Sequence, residues 1–200
     1  IKVRGVRRLH GGSYTIIPDQ IEAGTYMAAA VATGGDVMIR NIIPRHLECI
    51  TAKLREMGAV ITEYDDSLRV CRQGALRPTK VKTLPYPGFP TDMQPLMAVC
   101  MALACGTSLI TEGIYDTRFG YTGELNRMGA NIQVDTKIAV INGVAALHGC
   151  SVKAFDLRAG AAMVVAGLTA GDVTTVEDVH YIERGYEKII EKLQGLGASI

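Results

Sequence analysis

Leu54-Arg55-Glu56-Met57-Gly58-Ala59 returns as Leu125-Asn126-Arg127-Met128-Gly129-Ala130, and again as Leu193-Gln194-Gly195-Leu196-Gly197-Ala198. A second landmark keeps step with it. An aspartate opens a small-residue apolar run at Asp19, Asp92 and Asp156, and each run stops at glycine, at Gly34-Gly35, Gly106 and Gly171. Self-similarity at a fixed period of roughly 70 residues marks one supersecondary unit used repeatedly, neighbouring copies burying each other's apolar faces. Three copies of so long a unit point to a closed, roughly threefold domain rather than a solenoid. What one copy has and the others lack is then the place to look for chemistry.

In the first copy, Asp19 followed by Glu22 reads as a capping box that opens an Ala-rich helix over Gln20–Thr33. That helix is apolar almost all round, the pattern of a buried element. Gly34-Gly35 ends it, and Asp36–Asn41 reads as a strand. An amphipathic helix is expected over Arg45–Met57, with Leu47, Ile50, Leu54 and Met57 on one face. Strands Ala59–Glu63 and Ser67–Cys71 follow, joined at Asp65-Asp66. The second copy repeats the order, with a helix over Asp92–Cys105, a strand Thr107–Thr111, a helix Thr117–Met128 and strands near Ile132 and Ile138. The third has helices over Asp156–Ala170 and Glu183–Leu196 around a strand Asp172–Val176, and stops where its last strands should begin. The unit is β-α-β-α-β-β, and Gly74–Lys80 and Gly143–Gly149 read as connections between copies. The opening at Ile1 rather than Met suits a piece of something longer, another part of which would supply the missing strands.

Bulk properties exclude several classes. Two hundred residues with 48% hydrophobic content suit one domain with a substantial core. A net charge of +1 offers no basic stripe for nucleic acid. No apolar run reaches the eighteen or so residues of a membrane span, and nothing at the amino terminus reads as a signal peptide. The five cysteines (Cys49, Cys71, Cys100, Cys105 and Cys150) show no C-x-x-C pairing and read as reduced thiols of a cytosolic protein, with Cys100 and Cys105 on a buried helix. The four histidines are scattered, and His180 beside Tyr181 reads as a satisfied polar residue or a proton-transfer group. No Ser/His/Asp grouping, metal-ligand cluster or phosphate-cradling glycine loop is present, so neither metal nor cofactor is expected.

If the copies close around a threefold axis, three helix amino termini meet at one end. Each carries roughly half a positive charge and free N–H groups. Arg118, Arg158 and Arg184 fall in or near the first turns of predicted helices, where a cation works against the dipole. A bound anion would explain the inversion, since guanidinium grips carboxylate or phosphate with two prongs. Pairing with Glu183 or Asp116 on the surface is the alternative. Asp92 likewise has two readings. It can cap its helix as Asp19 and Asp156 do, or act chemically, set by the proline-punctuated approach Tyr86-Pro87-Gly88-Phe89-Pro90-Thr91.

The segments Ile17-Pro18-Asp19-Gln20-Ile21-Glu22-Ala23-Gly24-Thr25, Phe89-Pro90-Thr91-Asp92-Met93-Gln94, Thr117-Arg118-Phe119, Asp156-Leu157-Arg158-Ala159 and Glu183-Arg184-Gly185-Tyr186-Glu187 resemble the enolpyruvyl transferase family. Within it they resemble the bacterial UDP-N-acetylglucosamine 1-carboxyvinyltransferases. The resemblance implies an inside-out α/β barrel of three βαβαββ repeats, about 1–75, 76–147 and 148–200, the last incomplete. It implies the carboxy-terminal of two similar domains, the partner amino-terminal domain being absent from these residues. It also implies transfer of enolpyruvyl from phosphoenolpyruvate to the 3-hydroxyl of UDP-N-acetylglucosamine with release of phosphate, the first committed step of peptidoglycan synthesis. Asp92 matches the family's base towards that hydroxyl. Ile114 matches a backbone contact to the nucleotide sugar, Arg118 and Arg184 match arginines facing phosphoenolpyruvate or the reacting phosphate, and Asp156 and Arg158 match a supporting shell. The general acid and most uracil contacts belong to the other domain, so the 200 residues alone are expected to be inactive. Gln20 stands where the family usually has arginine, Gly120-Tyr121 replaces the usual Met-His, and His180-Tyr181-Ile182-Glu183 departs from the common Tyr-His-Ile-Asp. The sister enzyme acting on shikimate 3-phosphate and a non-catalytic ligand-binding repeat module are the competing readings.

Overall fold

Asp19 begins the ordered core of the chain as a helix cap: its carboxylate accepts from Ile21 N–H at 2.8 Å and opens α1 (Gln20–Thr33). The computed structural model describes residues 1–200, of which 1–19 are exposed and carry no regular secondary structure. Gly34 ends α1 at φ +76°, its N–H returning to Ala30, a conformation that favours glycine. The capping box is only half formed, because Glu22 pairs with Lys192 at 2.7 Å instead of folding back. From Ala23 to Ala32 nearly every α1 side chain is buried. Its neighbours are therefore on all sides.

β1 (Asp36–Arg40) follows, then a 3-10 turn over Pro44–Leu47 that runs into α2 (Glu48–Glu56). Pro44 opens that turn, where its fixed φ and missing N–H cost nothing, and the helix expected from Arg45 becomes α-helical only at Glu48. Ile50, Leu54 and Met57 are fully buried, as the amphipathic pattern requires. β2 (Ala59–Glu63) and β3 (Ser67–Arg72) form the expected hairpin, giving an antiparallel sheet of order β1-β3-β2 with Asp36 opposite Cys71.

β4 (Lys80–Lys82) precedes α3 (Gln94–Ala102), and β5 (Thr107–Thr111), α4 (Thr122–Arg127), β6 (Asn131–Asp135) and β7 (Ile138–Asn142) complete a four-stranded sheet of order β4-β5-β7-β6. The predicted helix over Asp92–Cys105 is shorter at both ends. A 3-10 turn over Thr91–Met93 leads in with no side-chain cap, and Cys105 lies exposed beyond the helix while Cys100 is buried. The helix expected over Thr117–Met128 splits likewise into a 3-10 turn (Phe119–Tyr121) and α4, with Gly120 and Gly123 weakening the interval.

In the last segment, β8 (Ser151–Lys153) pairs in parallel with β9 (Thr175–Glu177) across α5 (Leu157–Thr169), as β4 does with β5 across α3. β4 and β8 are three-residue strands lying at or beside stretches read as connections. The strand expected over Asp172–Val176 starts later, at Thr175. The helix expected over Glu183–Leu196 is two pieces, α6 (His180–Glu183) and α7 (Ile189–Gly195). They are separated by Gly185 and by Lys188, whose φ of +50° breaks the helical path. All five cysteines are free.

The buried helices α1, α3 and α5 pack against one another, and their sheets and α2 and α4 lie outside them around a large core, with a second, smaller cluster of Ala154, Ala161, Ile182, Tyr186, Ile189 and Leu193 under α6 and α7. Where α6 packs on α5, a small residue permits the close approach. A Cβ on Gly160 of α5 would sit 2.6 Å from Ile182 and 2.8 Å from the Ala154 methyl. Gly160→Val is therefore expected to cost about 1–3 kcal/mol through overpacking, read as a lowered midpoint in urea or thermal denaturation. An unchanged midpoint would mean that α6 moves aside freely.

Candidate active site

The three buried helices point their amino ends at one guanidinium. Arg158, in the first turn of α5, gives its backbone N–H to the capping Asp156 at 2.8 Å. Its Nε donates to Asp92 Oδ2, ahead of α3, at 3.2 Å, and its Nη2 lies 3.9 Å from Asp19, the cap of α1. The guanidinium carbon stands 5.4 Å from the centre of the Tyr186 ring, whose hydroxyl is 2.8 Å from that of Thr25 on α1. Burial works against the charge of Arg158, but Tyr186 and Asp92 more than offset it and hold its pKa above the ordinary arginine value. Burial in turn pushes the Tyr186 phenol up.

Asp92 is the hub. Its Oδ1 accepts from Arg118 Nη2 at 3.2 Å, so each carboxylate oxygen faces a different guanidinium. Arg118 stacks over Tyr115 at 5.4 Å. The two arginine side chains are only 15% and 13% exposed, whereas the Asp92 carboxylate is 38% exposed. Its oxygens keep lone pairs on the open side. Arg118 Nε and Arg158 Nη1 are buried without an intramolecular acceptor.

A second carboxylate lies beneath the first. Glu112, at the end of β5, is 1% exposed. Its Oε1 accepts from the Thr83 hydroxyl and from the N–H groups of Ile114 and Tyr115, at 2.7, 2.8 and 3.1 Å. Its Oε2 accepts from the Thr91 hydroxyl and from Gln94 Nε2, both at 3.0 Å. Burial opposes its charge, yet these bonds prevail and hold the carboxyl below the ordinary glutamate value. A groove of about 1390 Å³ lies at the opposite ends of α1 and α5, among Thr33, Val37, Leu168, Val176 and Leu193, and excludes Asp92, Arg118 and Arg158.

A family pattern described as EPSP synthase (3-phosphoshikimate 1-carboxyvinyltransferase) matches residues 1–193. A protein named UDP-N-acetylglucosamine 1-carboxyvinyltransferase from Desulfofundulus thermocisternus is 53% identical over 201 residues, covering 100% of the chain and 83% of the relative. The chain belongs to the EPSP synthase family, on its UDP-N-acetylglucosamine 1-carboxyvinyltransferase branch. UDP-N-acetylglucosamine 1-carboxyvinyltransferase 3 of Caldanaerobacter subterraneus subsp. tengcongensis is 58% identical across the whole chain, which covers 48% of that protein. The chain spans about half the length of this and other curated relatives. Among solved structures, the enolpyruvyl transferase NikO from Streptomyces tendae superposes with a TM-score of 0.85 at 30% identity, over 93% of this chain and 44% of that one. An EPSP synthase from Acinetobacter baumannii, 16% identical at a TM-score of 0.61, shares the fold over 80% of the chain and 38% of its own.

Of the residues singled out in the sequence, Asp92, Arg118, Arg158 and Asp156 come together. Asp19 and Asp156 are caps; Asp92 is not, and it engages two arginines instead. The expected surface pairings give way to this arrangement, Asp116 going to Lys137. The Arg184 side chain is exposed with no hydrogen-bond or ion-pair partner within the chain, and the residue follows α6 rather than opening a helix, so its dipole argument lapses. It still stands beside the site, since Gly185 packs on Leu157 and Tyr186 lies against Arg158. Ile114 has given its N–H to Glu112, which leaves its carbonyl without an intramolecular donor. Sequence reasoning missed Glu112, Tyr186 and Tyr115. A lone charge closing the apolar strand Thr107–Thr111 was the only local signal for Glu112.

Proposed function

We propose that this chain is the carboxy-terminal half of an enolpyruvyl transferase. Its full-length protein moves the enolpyruvyl group of phosphoenolpyruvate onto the 3-hydroxyl of UDP-N-acetylglucosamine, with loss of phosphate, as the first committed step of peptidoglycan synthesis. One observation carries the reading: in a chain 53% identical to a protein of that name, a half-exposed carboxylate sits between two nearly buried arginines where three helices converge. In the same reading the fold is an inside-out α/β barrel of three βαβαββ repeats. The boundaries lie near 75 and 147, the third repeat is completed from elsewhere in the protein, and the enzyme works in the cytoplasm in support of cell-wall growth.

Asp92 takes the proton of the sugar hydroxyl through a lone pair not used by arginine, which turns the oxygen into a nucleophile towards C2 of the enol phosphate. A proton delivered to C3 from the opposite domain completes the addition and gives a tetrahedral ketal. Arg118 and Arg158 hold Asp92 in place and, with exposed Arg184, supply the positive charge that draws the carboxylate and phosphate of phosphoenolpyruvate. Loss of a proton from C3 and departure of phosphate then restore the double bond on the new ether. Ile114 steadies the sugar nucleotide through its free carbonyl, and Asp156 fixes the start of α5 so that Arg158 is presented correctly.

Phosphate release assays test this. The full-length protein is expected to release phosphate from phosphoenolpyruvate with UDP-N-acetylglucosamine and not with shikimate 3-phosphate, and the 200 residues alone with neither. Turnover of shikimate 3-phosphate would move the chain to the sister activity. Turnover by the isolated half would show that the second domain is not needed.

A further inference from the structure

Asp92 is held by arginines on its outer side, but the turn that carries it must also be fixed from within. Thr91, immediately before it, and Gln94, two residues after it, both donate to Glu112 Oε2. The other oxygen gathers the backbone N–H groups of Ile114 and Tyr115, the residue under Arg118. Thr83 locks the third side. Its hydroxyl donates to Glu112 and accepts from Gly113 N–H, and its carbonyl leaves no room for a Cβ at Gly113. One buried side chain thus ties together the turn bearing the proposed base, the loop beneath its arginine and the proposed sugar-holding backbone.

We propose that Glu112 is the positioning residue of this site, setting the distance between Asp92 and the Ile114–Tyr115 loop so that the sugar hydroxyl meets the base. The assignment rests on the enolpyruvyl transfer proposed above. What matters is its pattern of accepting oxygens, and glutamine can reproduce that pattern. In Glu112→Gln the side-chain carbonyl keeps the three donors on the Oε1 side. The new amide then faces Thr91, whose hydroxyl can turn, and Gln94, whose own Oε1 is buried without a partner and can swing round to accept. Alanine instead strands several buried donors and frees both turns.

The test uses the full-length protein in steady-state phosphate release, with turnover counted per folded molecule from calorimetric titration with UDP-N-acetylglucosamine. Glu112→Ala is expected to lower kcat about 100-fold, as a misplacement of the order of 1 Å does. It is also expected to raise KM for the sugar nucleotide about tenfold and to leave KM for phosphoenolpyruvate within about threefold. Glu112→Gln is expected to restore kcat to within about fivefold of the parent. If the alanine variant does not fold, Thr91→Val replaces it, with kcat about tenfold down, while Thr91→Ser, which keeps the hydroxyl, behaves as the parent. Parental kcat in the folded alanine or valine variant overturns the assignment, as does a glutamine variant impaired as much as alanine. Asp92→Asn separates the two levels. If it is inactive while the Glu112 and Thr91 variants are normal, only the positioning role fails; if it is fully active, the proposed function fails with it.

Discussion

Asp92→Asn in the full-length protein is expected to lower kcat by at least about 100-fold, the usual contribution of a positioned general base. The substitution keeps the shape of the side chain, and Asp92 caps no helix, so no helix start is lost. Its chemistry changes twice. The amide has no carboxylate lone pair to take the sugar proton. Its NH2 group also has to face either Arg118 Nη2 or Arg158 Nε, a donor against a donor where two ion pairs stood at 3.2 Å. Affinity for UDP-N-acetylglucosamine, read by calorimetry, is expected to change less than about tenfold, because the loss belongs to the reacting state. Asp19→Asn is the natural control. It makes the same chemical change in an aspartate that serves as a cap, where asparagine caps equally well, and gives up only the 3.9 Å pairing with Arg158, so turnover should fall far less than in Asp92→Asn. A non-catalytic binding module predicts no difference between the two variants. Turnover within about threefold of the parent in Asp92→Asn would favour that module.

That control matters because the three aspartates look alike in sequence. Each precedes an apolar helix in the same place of a recurring unit, and capping is the reading open to all three. It holds for Asp19 and Asp156, whose oxygens accept N–H bonds from their own helices. Asp92 departs because its turn is governed from elsewhere, by Pro90, whose carbonyl receives Met93 N–H, and by Glu112, eighteen residues beyond Gln94 along the chain. Local pattern reads elements well when neighbours decide them, as with α1, the β2–β3 hairpin and the Gly58 stop. It fails where distant segments meet. Glu112 draws donors from positions 83, 91, 94, 114 and 115, a gathering that no window of sequence displays. The helix-start reading of Arg184 fails for the opposite reason: the helix expected over Glu183–Leu196 runs straight through Lys188, where the backbone turns left-handed.

Arg158→Ala is expected to affect both stability and rate, because one side chain serves three helices. Truncation removes its bond to Asp92, the longer pairing with Asp19 and the cation over Tyr186. Both carboxylates are more than a third exposed, so water partly replaces the lost partner, and the stability cost should be about 1–2 kcal/mol. For a domain of this size that lowers Tm by roughly 2–8 °C. The rate should fall about 100-fold, the scale for one preorganised charged donor. Arg158→Lys separates these effects. Its ammonium can pair with one carboxylate and recover much of the stability, but it lacks the fork that meets Asp92 while lying flat on Tyr186, so turnover should stay low. A lysine variant as fast as the parent would reduce Arg158 to a source of positive charge. The double variant Asp92→Asn with Arg158→Ala then decides whether the two act as a unit. Residues in direct contact that serve one step lose less together than the product of their separate losses. Fully multiplicative losses would assign them to separate steps and leave Arg118 alone to orient the base.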